Sequence, residues 1–135
     1  MEQQTSRILV VDDEAPIRIT LERLLQCQGY SVTVAASGEE ALALLDQRTF
    51  DLLLLDLKLP GMSGLEVAGH ARTLQPAPAI LLLTGHAAPE DAPDATRLDA
   101  FEYILKTASP EDVFARVAAS IKQRASTRAT ASPKP

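Results

Sequence analysis

The stretch Phe50-Asp51-Leu52-Leu53-Leu54-Leu55-Asp56 contains four consecutive leucines and ends in a carboxylate. Loop-forming residues lie on both sides of it, Gln47-Arg48-Thr49 before and Lys58-Leu59-Pro60-Gly61 after. An apolar run of this length between loop signals predicts a strand that is buried on both faces of a parallel sheet. Asp56 then lies at the carboxyl end of that strand. Because ligands bind at this end of open α/β sheets, we interpret Asp56 as a chemical residue rather than a structural one.

A second apolar run, Arg7-Ile8-Leu9-Val10-Val11, leads directly into Asp12 and Asp13. If the two strands are parallel neighbours, three carboxylates meet at one edge of the sheet. Carboxylates this close repel one another and raise a neighbour's pKa unless a divalent cation shares them. Oxygen ligands in this number suit Mg²⁺. The alternative for Asp12 and Asp13 is an acid pair that the dipole of the following helix favours.

The composition limits the classes of function. The chain has 135 residues, which is the size of one domain, and a formal net charge of −5. This charge argues against direct binding of the chain to nucleic-acid phosphates. No apolar stretch approaches the roughly 18 residues of a membrane span, and the polar stretch Met1 to Ser6 has no apolar signal region. We therefore expect a cytoplasmic protein that does not bind membranes.

The cysteine content excludes an internal disulfide and a cysteine-rich metal site, because Cys27 is the only cysteine. It follows Leu24 and Leu25 in a helical pattern. We therefore predict that Cys27 is a small core residue rather than a reactive thiol.

Apolar runs alternate with helical patterns along the chain, which is typical of βαβ units and a parallel sheet with helices on both faces. The predicted strands are residues 7–12, 31–35, 50–56, 79–84 and 100–105. Helix signals fill the gaps: Pro16 in a first turn, Gly29 as a C-cap, and the cap pairs Ser37/Glu40, Ser63/Glu66 and Ser109/Asp112. Between the fourth and fifth strands, Pro89 and Pro93 predict a short helix near 92–98.

The ends of the chain differ in composition from its middle. After about Gln123 the residues are Arg, Ala, Ser, Thr, Pro and Lys, with no apolar residue larger than alanine. This composition predicts a flexible tail or a linker stub over 125–135, and the polar start predicts a disordered segment over 1–5. One folded domain over 6–124 lies between them.

Residues at the ends of successive strands form a recognisable set. They are Asp12-Asp13, then Asp56 with Lys58-Leu59-Pro60-Gly61, then Thr84-Gly85, and finally Tyr103 and Lys106. With these residues, the chain resembles the receiver domain of two-component response regulators. The resemblance implies a flavodoxin-like (βα)5 α/β fold, which is a doubly wound five-stranded parallel sheet of order 2-1-3-4-5.

The resemblance also implies roles for these residues. Asp56 is the expected phosphoacceptor, a nucleophile that forms an aspartyl phosphate, and Lys106 stabilises charge on the transferring oxygens. Mg²⁺ is the expected cofactor, with Asp13, Asp56 and the backbone carbonyl of Lys58 as ligands and Asp12 acting through water. Thr84 and Tyr103 form the expected switch, in which the threonine hydroxyl turns toward the phosphoryl group and the aromatic ring moves inward.

His86, Lys58 and His70 are not expected to take part directly as phosphodonors or acceptors. His86 and Lys58 occupy positions that, in the family, modulate how fast water reaches the aspartyl phosphate. A loop histidine is more often solvated, so we do not interpret His86 as a phosphodonor or a metal ligand. His70 is expected to be a surface residue.

The sequence departs from the family pattern in two places. Thr107 follows Lys106 where most members have a proline after a cis peptide, and a cis bond without proline costs about 2.5–4 kcal/mol. Either this loop holds the strain or it is rearranged, and Lys106 then approaches the site differently. The second departure is the pair Pro89 and Pro93 before the predicted fourth helix. In the family, the face formed by the fourth helix, the fifth strand and the fifth helix commonly carries the output. The dimerisation or partner chemistry of this face is therefore left open.

The main functional hypothesis is a signalling switch rather than an enzyme. A histidine kinase or phosphotransfer protein phosphorylates it, and an output domain or effector protein responds; a phosphorylation-dependent homodimer is another expected assembly. One alternative is a receiver-like interaction module that works without phosphorylation, with Thr107 as its best support. Another is an aspartate-nucleophile phosphatase, against which Lys58 argues because that class resembles Asp-x-Asp and needs a second acid there. A nucleotide-binding domain is excluded because the glycine-rich phosphate loops are missing.

Overall fold

The structure is a computed structural model that describes residues 5–85 and 102–131, with side chains described up to residue 124. Its strands are β1 Arg7–Val11, β2 Ser31–Ala35, β3 Leu52–Asp56, β4 Ala79–Thr84 and β5 Glu102–Leu105. Its helices, numbered within the described part of the chain, are α1 Ala15–Cys27, α2 Gly38–Gln47, α3 Gly64–Arg72 and α4 Pro110–Ala131. The five strands form one parallel sheet of order β2-β1-β3-β4-β5, which confirms the predicted fold and strand order.

Strand β3 lies at the centre of the sheet and is buried along its whole length. Successive side chains of a strand point to opposite faces. Leu53 and Leu55 therefore pack into the cluster that includes residues of α2 and α3, whereas Leu52 and Leu54 pack into the cluster that includes residues of α1 and α4. Burial on both faces explains why the leucine run is continuous instead of alternating with polar residues.

The predicted helix starts are present in the structure. Ser37 and Ser63 each accept a hydrogen bond from the backbone of the residue three positions later, and Ser109 does the same for Asp112. At α3 the bond is reciprocated by Glu66, which completes a capping box. At α2 the reciprocal bond differs from the prediction, because Glu40 accepts from the backbone of Ala36 instead of Ser37.

Helix α1 ends as predicted, but one of its residues was assigned wrongly. Gly29 follows the helix with a φ of 95°, which is a left-handed conformation that glycine adopts without steric cost. Cys27 is exposed, so the prediction of a core cysteine was wrong. Leu21 and Leu25 define the buried stripe of α1, and Cys27 lies two positions after Leu25, about 200° around the helix.

The C-terminal helix extends into the segment that was predicted as a tail. Helix α4 continues to Ala131, so the backbone of 125–131 is helical. The assignment of 125–135 as a flexible tail or linker stub stays a prediction. This segment has no apolar stripe, yet it contains the helix-compatible residues Ala and Arg and has no helix-breaking residue before Pro133. The predicted helix near 92–98, with Pro89 and Pro93, lies outside the described residues. Among the described helices, none combines the length and apolar character needed to cross a bilayer.

Candidate functional site

The carboxyl ends of four strands meet at one edge of the sheet. Asp12 directly follows β1, Asp56 and Thr84 are the last residues of β3 and β4, and Lys106 directly follows β5. The parallel registers place Val11 beside Leu55, Asp56 beside Leu83, and Thr84 beside Leu105. These ends surround a cleft of about 280 Å³, lined by Asp13, Glu14, Asp56, Leu57, Lys58, Thr84, Gly85 and Lys106.

Three carboxylates converge at this edge, as the sequence predicted. One oxygen from each of Asp12, Asp13 and Asp56 lies within 4.8 Å of the others. Asp12 and Asp56 are 0% and 2% exposed, whereas Asp13 is exposed. The buried Oδ2 of Asp12 receives no hydrogen bond of good geometry from the described residues. The three carboxylates converge, and Oδ2 of Asp12 lacks a well-formed hydrogen bond. Carboxylate oxygens in this arrangement fit a divalent cation such as Mg²⁺.

Lys106 brings one positive charge into this acidic cluster. Its Nζ lies 3.0 Å from Oδ2 of Asp56 and 3.2 Å from Oδ2 of Asp12. The described residues contain one cis peptide, at Gln75-Pro76, so the bond from Lys106 to Thr107 is trans. The loop therefore differs from the family pattern, and Lys106 still reaches the expected carboxylate.

The burial of the cluster changes the acidity of its members. The pKa of Asp56 is raised from 3.8 to about 6, mainly because burial disfavours the charged form, with a smaller contribution from the charge of Asp12. Hydrogen bonds from Lys106 and from the backbone of Lys58 act in the opposite direction. Burial also acts to lower the pKa of Lys106, but the carboxylates of Asp56 and Asp12 outweigh it and raise this pKa above its ordinary value.

Backbone hydrogen bonds hold the two buried acids in place. The backbone amide of Glu14 donates to Oδ1 of Asp12 at 2.8 Å, and the amide of Lys58 donates to Oδ1 of Asp56 at 3.1 Å. Arg18, on the first turns of α1, donates to the backbone carbonyl of Asp12 at 2.8 Å. Each acid is thus fixed by the loop that follows its strand.

The start of α3 packs directly against the end of β3. A Cβ added at Gly64 would meet the backbone oxygen of Asp56 and would lie 2.8 Å from the Cα of Leu57. The amide of Gly64 also donates to the carbonyl of Leu57 at 3.0 Å. Position 64 therefore requires glycine, since any side chain would displace the backbone that carries Asp56.

The other predicted site residues have different outcomes. Thr84 is half-buried and lines the cleft, and its backbone oxygen accepts from the amide of Lys106. Tyr103 is half-buried and does not line the cleft; it packs against the cluster on the side of α2 and α3. Lys58 lines the cleft with an exposed side chain. The metal-binding role of its carbonyl stays a prediction, as do the switch roles of Thr84 and Tyr103.

The structure describes one of the two histidines. His86 lies outside the described residues. His70 is 39% exposed, and its Nε2 lies 3.1 Å from Oδ1 of Asp46, which links α3 to α2 far from the cleft.

Glu14 lines the cleft and was missed by the sequence analysis. Its Oε1 lies 3.2 Å from Nζ of Lys106, so it is a third carboxylate partner of the same ammonium. The available signal was a third acid directly after Asp12 and Asp13, but the partner lies 92 residues away in the chain.

The sequence matches the family model described as "Response regulator receiver domain" over residues 8–118. A curated relative, the alginate biosynthesis transcriptional regulatory protein AlgB of Pseudomonas aeruginosa, is 37% identical over 122 residues. That match covers 90% of this chain and 27% of the relative. The transcriptional regulatory protein ResD of Bacillus subtilis is 37% identical over 127 residues, with coverage of 90% and 50%. The chain therefore spans between about a quarter and a half of these relatives.

Solved structures agree with this match. A CheY-like receiver domain protein of Methanospirillum hungatei has a TM-score of 0.82 and 32% identity, and the match covers 92% of this chain and 99% of that one. The response regulator TrrA of Thermotoga maritima, solved in complex with Mg²⁺ and BeF, has a TM-score of 0.76 and 38% identity, with coverage of 86% and 99%. The family match, the relatives and the fold agree, and the chain belongs to the response regulator receiver domain family.

Proposed function

We propose that this chain is the phosphoacceptor module of a two-component system, and that a histidine kinase or phosphotransfer protein phosphorylates it on Asp56 with Mg²⁺. The observation that carries the proposal is the position of Lys106, whose Nζ lies 3.0 Å from Oδ2 of a buried aspartate at the end of the central strand. Membership of the receiver family, which acts as a signalling switch, supports the same assignment.

Asp56 is suited to act as the nucleophile. Oδ1 accepts a hydrogen bond from the backbone of Lys58, and Oδ2 accepts one from Lys106, so the orientation of the carboxylate is fixed from both sides. One carboxylate oxygen attacks phosphorus, the bond from phosphorus to the donor's leaving group breaks, and the product is an aspartyl phosphate. Although the pKa of Asp56 is raised to about 6, the carboxylate is mostly ionised at neutral pH and can attack.

The rest of the site supplies charge and position instead of covalent chemistry. Lys106 is held at the cleft by buried Asp12, so its ammonium is already placed where negative charge develops on the transferring oxygens. Asp12, Asp13, Asp56 and the carbonyl of Lys58 are the groups that would hold Mg²⁺. When bound, the cation neutralises charge on the carboxylates and on the phosphoryl oxygens. The Mg²⁺ and BeF complex of TrrA supports this assignment by similarity.

The output of the module is a change of conformation. Thr84 lines the cleft and Tyr103 lies on β5. We propose that these two residues respond to the added charge and pass the change of conformation to a partner-binding face. Inverting an equilibrium of 1:99 needs about 5.5 kcal/mol of differential interaction. The named relatives are transcriptional regulators longer than this chain, which supports an output domain or a separate effector protein as the partner.

The test is intact-mass spectrometry after incubation with a small phosphodonor, with and without Mg²⁺. We expect the wild type to gain one phosphate only with Mg²⁺, and Asp56→Asn to gain none. Asp46→Asn is the matched control, because Asp46 is an aspartate that is 61% exposed and remote from the cleft, and it should gain phosphate like the wild type.

A rapid loss of phosphate is separated from a failure to react by adding BeF, which mimics the phosphoryl group and does not hydrolyse. If the wild type neither gains phosphate nor binds BeF with Mg²⁺, the proposal is wrong. The module would then act without phosphorylation.

A further inference from the structure

Lys106 has three carboxylate partners: its ammonium donates hydrogen bonds to Asp56 and Glu14 and forms an ion pair with Asp12. They are Asp56 at 3.0 Å, Asp12 at 3.2 Å and Glu14 at 3.2 Å. The lysine side chain is 16% exposed. A phosphoryl group on Asp56 brings new acceptor oxygens that need the same donors. A phosphoryl group on Asp56 therefore competes with the present partners for the Lys106 ammonium.

The three partners differ in how easily they can be released. Asp12 is fully buried, and leaving its charge without a partner is costly. Asp56 is the group that receives the phosphate. The Glu14 side chain is 56% exposed, so water can replace the ammonium on its carboxylate at little cost.

We infer that Glu14 is a positioning residue that tethers Lys106 in the unphosphorylated protein and releases it on phosphorylation. This inference rests on the proposed phosphorylation of Asp56. The amide of Glu14 donates to Oδ1 of Asp12, so the backbone of the tether is fixed to the site itself. Because the tether must open as the phosphoryl group arrives, it slows phosphorylation and favours the empty state.

The experiment compares the rate of phosphorylation of the whole chain by a small phosphodonor at saturating Mg²⁺. We expect Glu14→Gln to react about two- to fivefold faster than wild type, which is the range for losing an exposed ion pair. Glu22→Gln removes the same charge two turns further along α1, about 12 Å away, and is expected to react like wild type.

Glu14→Asp separates the tether from simple charge repulsion. It keeps the negative charge but is shorter by one methylene group and does not reach Lys106 as Glu14 does. The tether predicts that Glu14→Asp is as fast as Glu14→Gln. If Glu14→Asp reacts like wild type, or if Glu14→Gln gives no acceleration, the inference is overturned.

A second measurement does not depend on phosphorylation. In a double-mutant cycle of unmodified protein, Glu14→Gln and Lys106→Met should be coupled by about two- to fivefold in the unfolding equilibrium constant. Coupling without any phosphate uptake in the wild type would overturn the proposed function and with it the release step. Phosphate uptake without coupling would overturn the tether alone.

Discussion

Asp56 and Asp12 are two buried carboxylates that share one ammonium, that of Lys106. An unperturbed aspartate, as in the unfolded chain, has a pKa of 3.8, whereas the pKa of Asp56 in the folded protein is about 6. The folded protein therefore binds this proton more tightly than the unfolded chain does. By linkage, the stability that Asp56 contributes is greatest below about pH 3.8 and falls as the pH rises through about 6. The buried Asp56 carboxylate thus costs stability at neutral pH.

Replacing Asp56 by asparagine, a neutral side chain of the same shape, should remove this cost. In buffer with a chelator, we expect Asp56→Asn to raise the free energy of unfolding at pH 7.5 by about 1–3 kcal/mol. The gain should shrink at pH 4.5, where the wild-type carboxyl is mostly protonated in the fold. Urea titrations at the two pH values measure both quantities. An asparagine variant that is less stable than wild type at pH 7.5 would contradict this argument.

At the residue scale, the sequence predicted the groups that stand at strand ends. Asp12, Asp56, Thr84 and Lys106 could be assigned because parallel strands bring their carboxyl ends to one edge. The pairing of Glu14 with Lys106 could not be predicted, because it depends on the conformation of a loop side chain. Cys27 was assigned wrongly because it was grouped with Leu24 and Leu25 as their neighbour in the chain, although it lies about 200° around the helix from Leu25.

At the scale of elements, the start of α3 packs closely against the end of β3 at Gly64. Gly64→Ala would push a methyl group against the backbone of Asp56 and Leu57. We expect a loss of stability of about 1–3 kcal/mol, since neither backbone can move freely. Urea unfolding measures this loss, and phosphorylation should slow in the same variant because Asp56 is displaced.

Gly69→Ala is the matched control in the same helix. A Cβ at position 69 meets nothing within 4 Å, so alanine should be neutral or should stabilise α3 by up to about 1 kcal/mol. Equal effects of the two substitutions would show that helix propensity, and not the close contact, determines the outcome.

The helices and strands themselves were largely predictable. Capping signals such as Ser63/Glu66 act over three residues and need no tertiary information. The end of α4 was not predictable from composition, because loss of the apolar stripe removes burial but not helix propensity. The close approach at Gly64 was also hidden, because only the packed structure gives the distance between α3 and β3.

At the scale of the whole molecule, Arg124 fastens α4 to the end of the sheet opposite the cleft. Its Nε donates to the carbonyl of Ala77 at 2.8 Å, and its Nη1 lies 3.0 Å from Oδ1 of Asp51. Asp51 in turn accepts from the amide of Arg7 at 2.8 Å. One side chain therefore joins α4 to the loops before β3 and β4 and, through Asp51, to the first residue of β1. The ion pair with Asp51 spans a sequence separation of 73 residues.

Removal of this side chain should destabilise the whole domain. The side chain of Arg124 is 10% exposed and that of Asp51 is 33% exposed, so solvent screens this ion pair only partly. We expect Arg124→Ala to lower the free energy of unfolding by about 1–2 kcal/mol. Lys122→Ala, an exposed position on the same helix, should stay within about 0.5 kcal/mol of wild type. Urea denaturation of the three proteins measures both changes, and similar values for the two variants would contradict this role of Arg124.

The position of the central strand determines how its amide hydrogens exchange with solvent. The amides of Leu53, Leu54 and Leu55 lie in a strand that is hydrogen-bonded to neighbours on both sides, under helices on both faces. Local fraying cannot expose them to solvent, so their hydrogens exchange only when the whole domain unfolds. Asp56 ends this same strand, and a ligand that stabilises the site therefore slows exchange in the middle of the core.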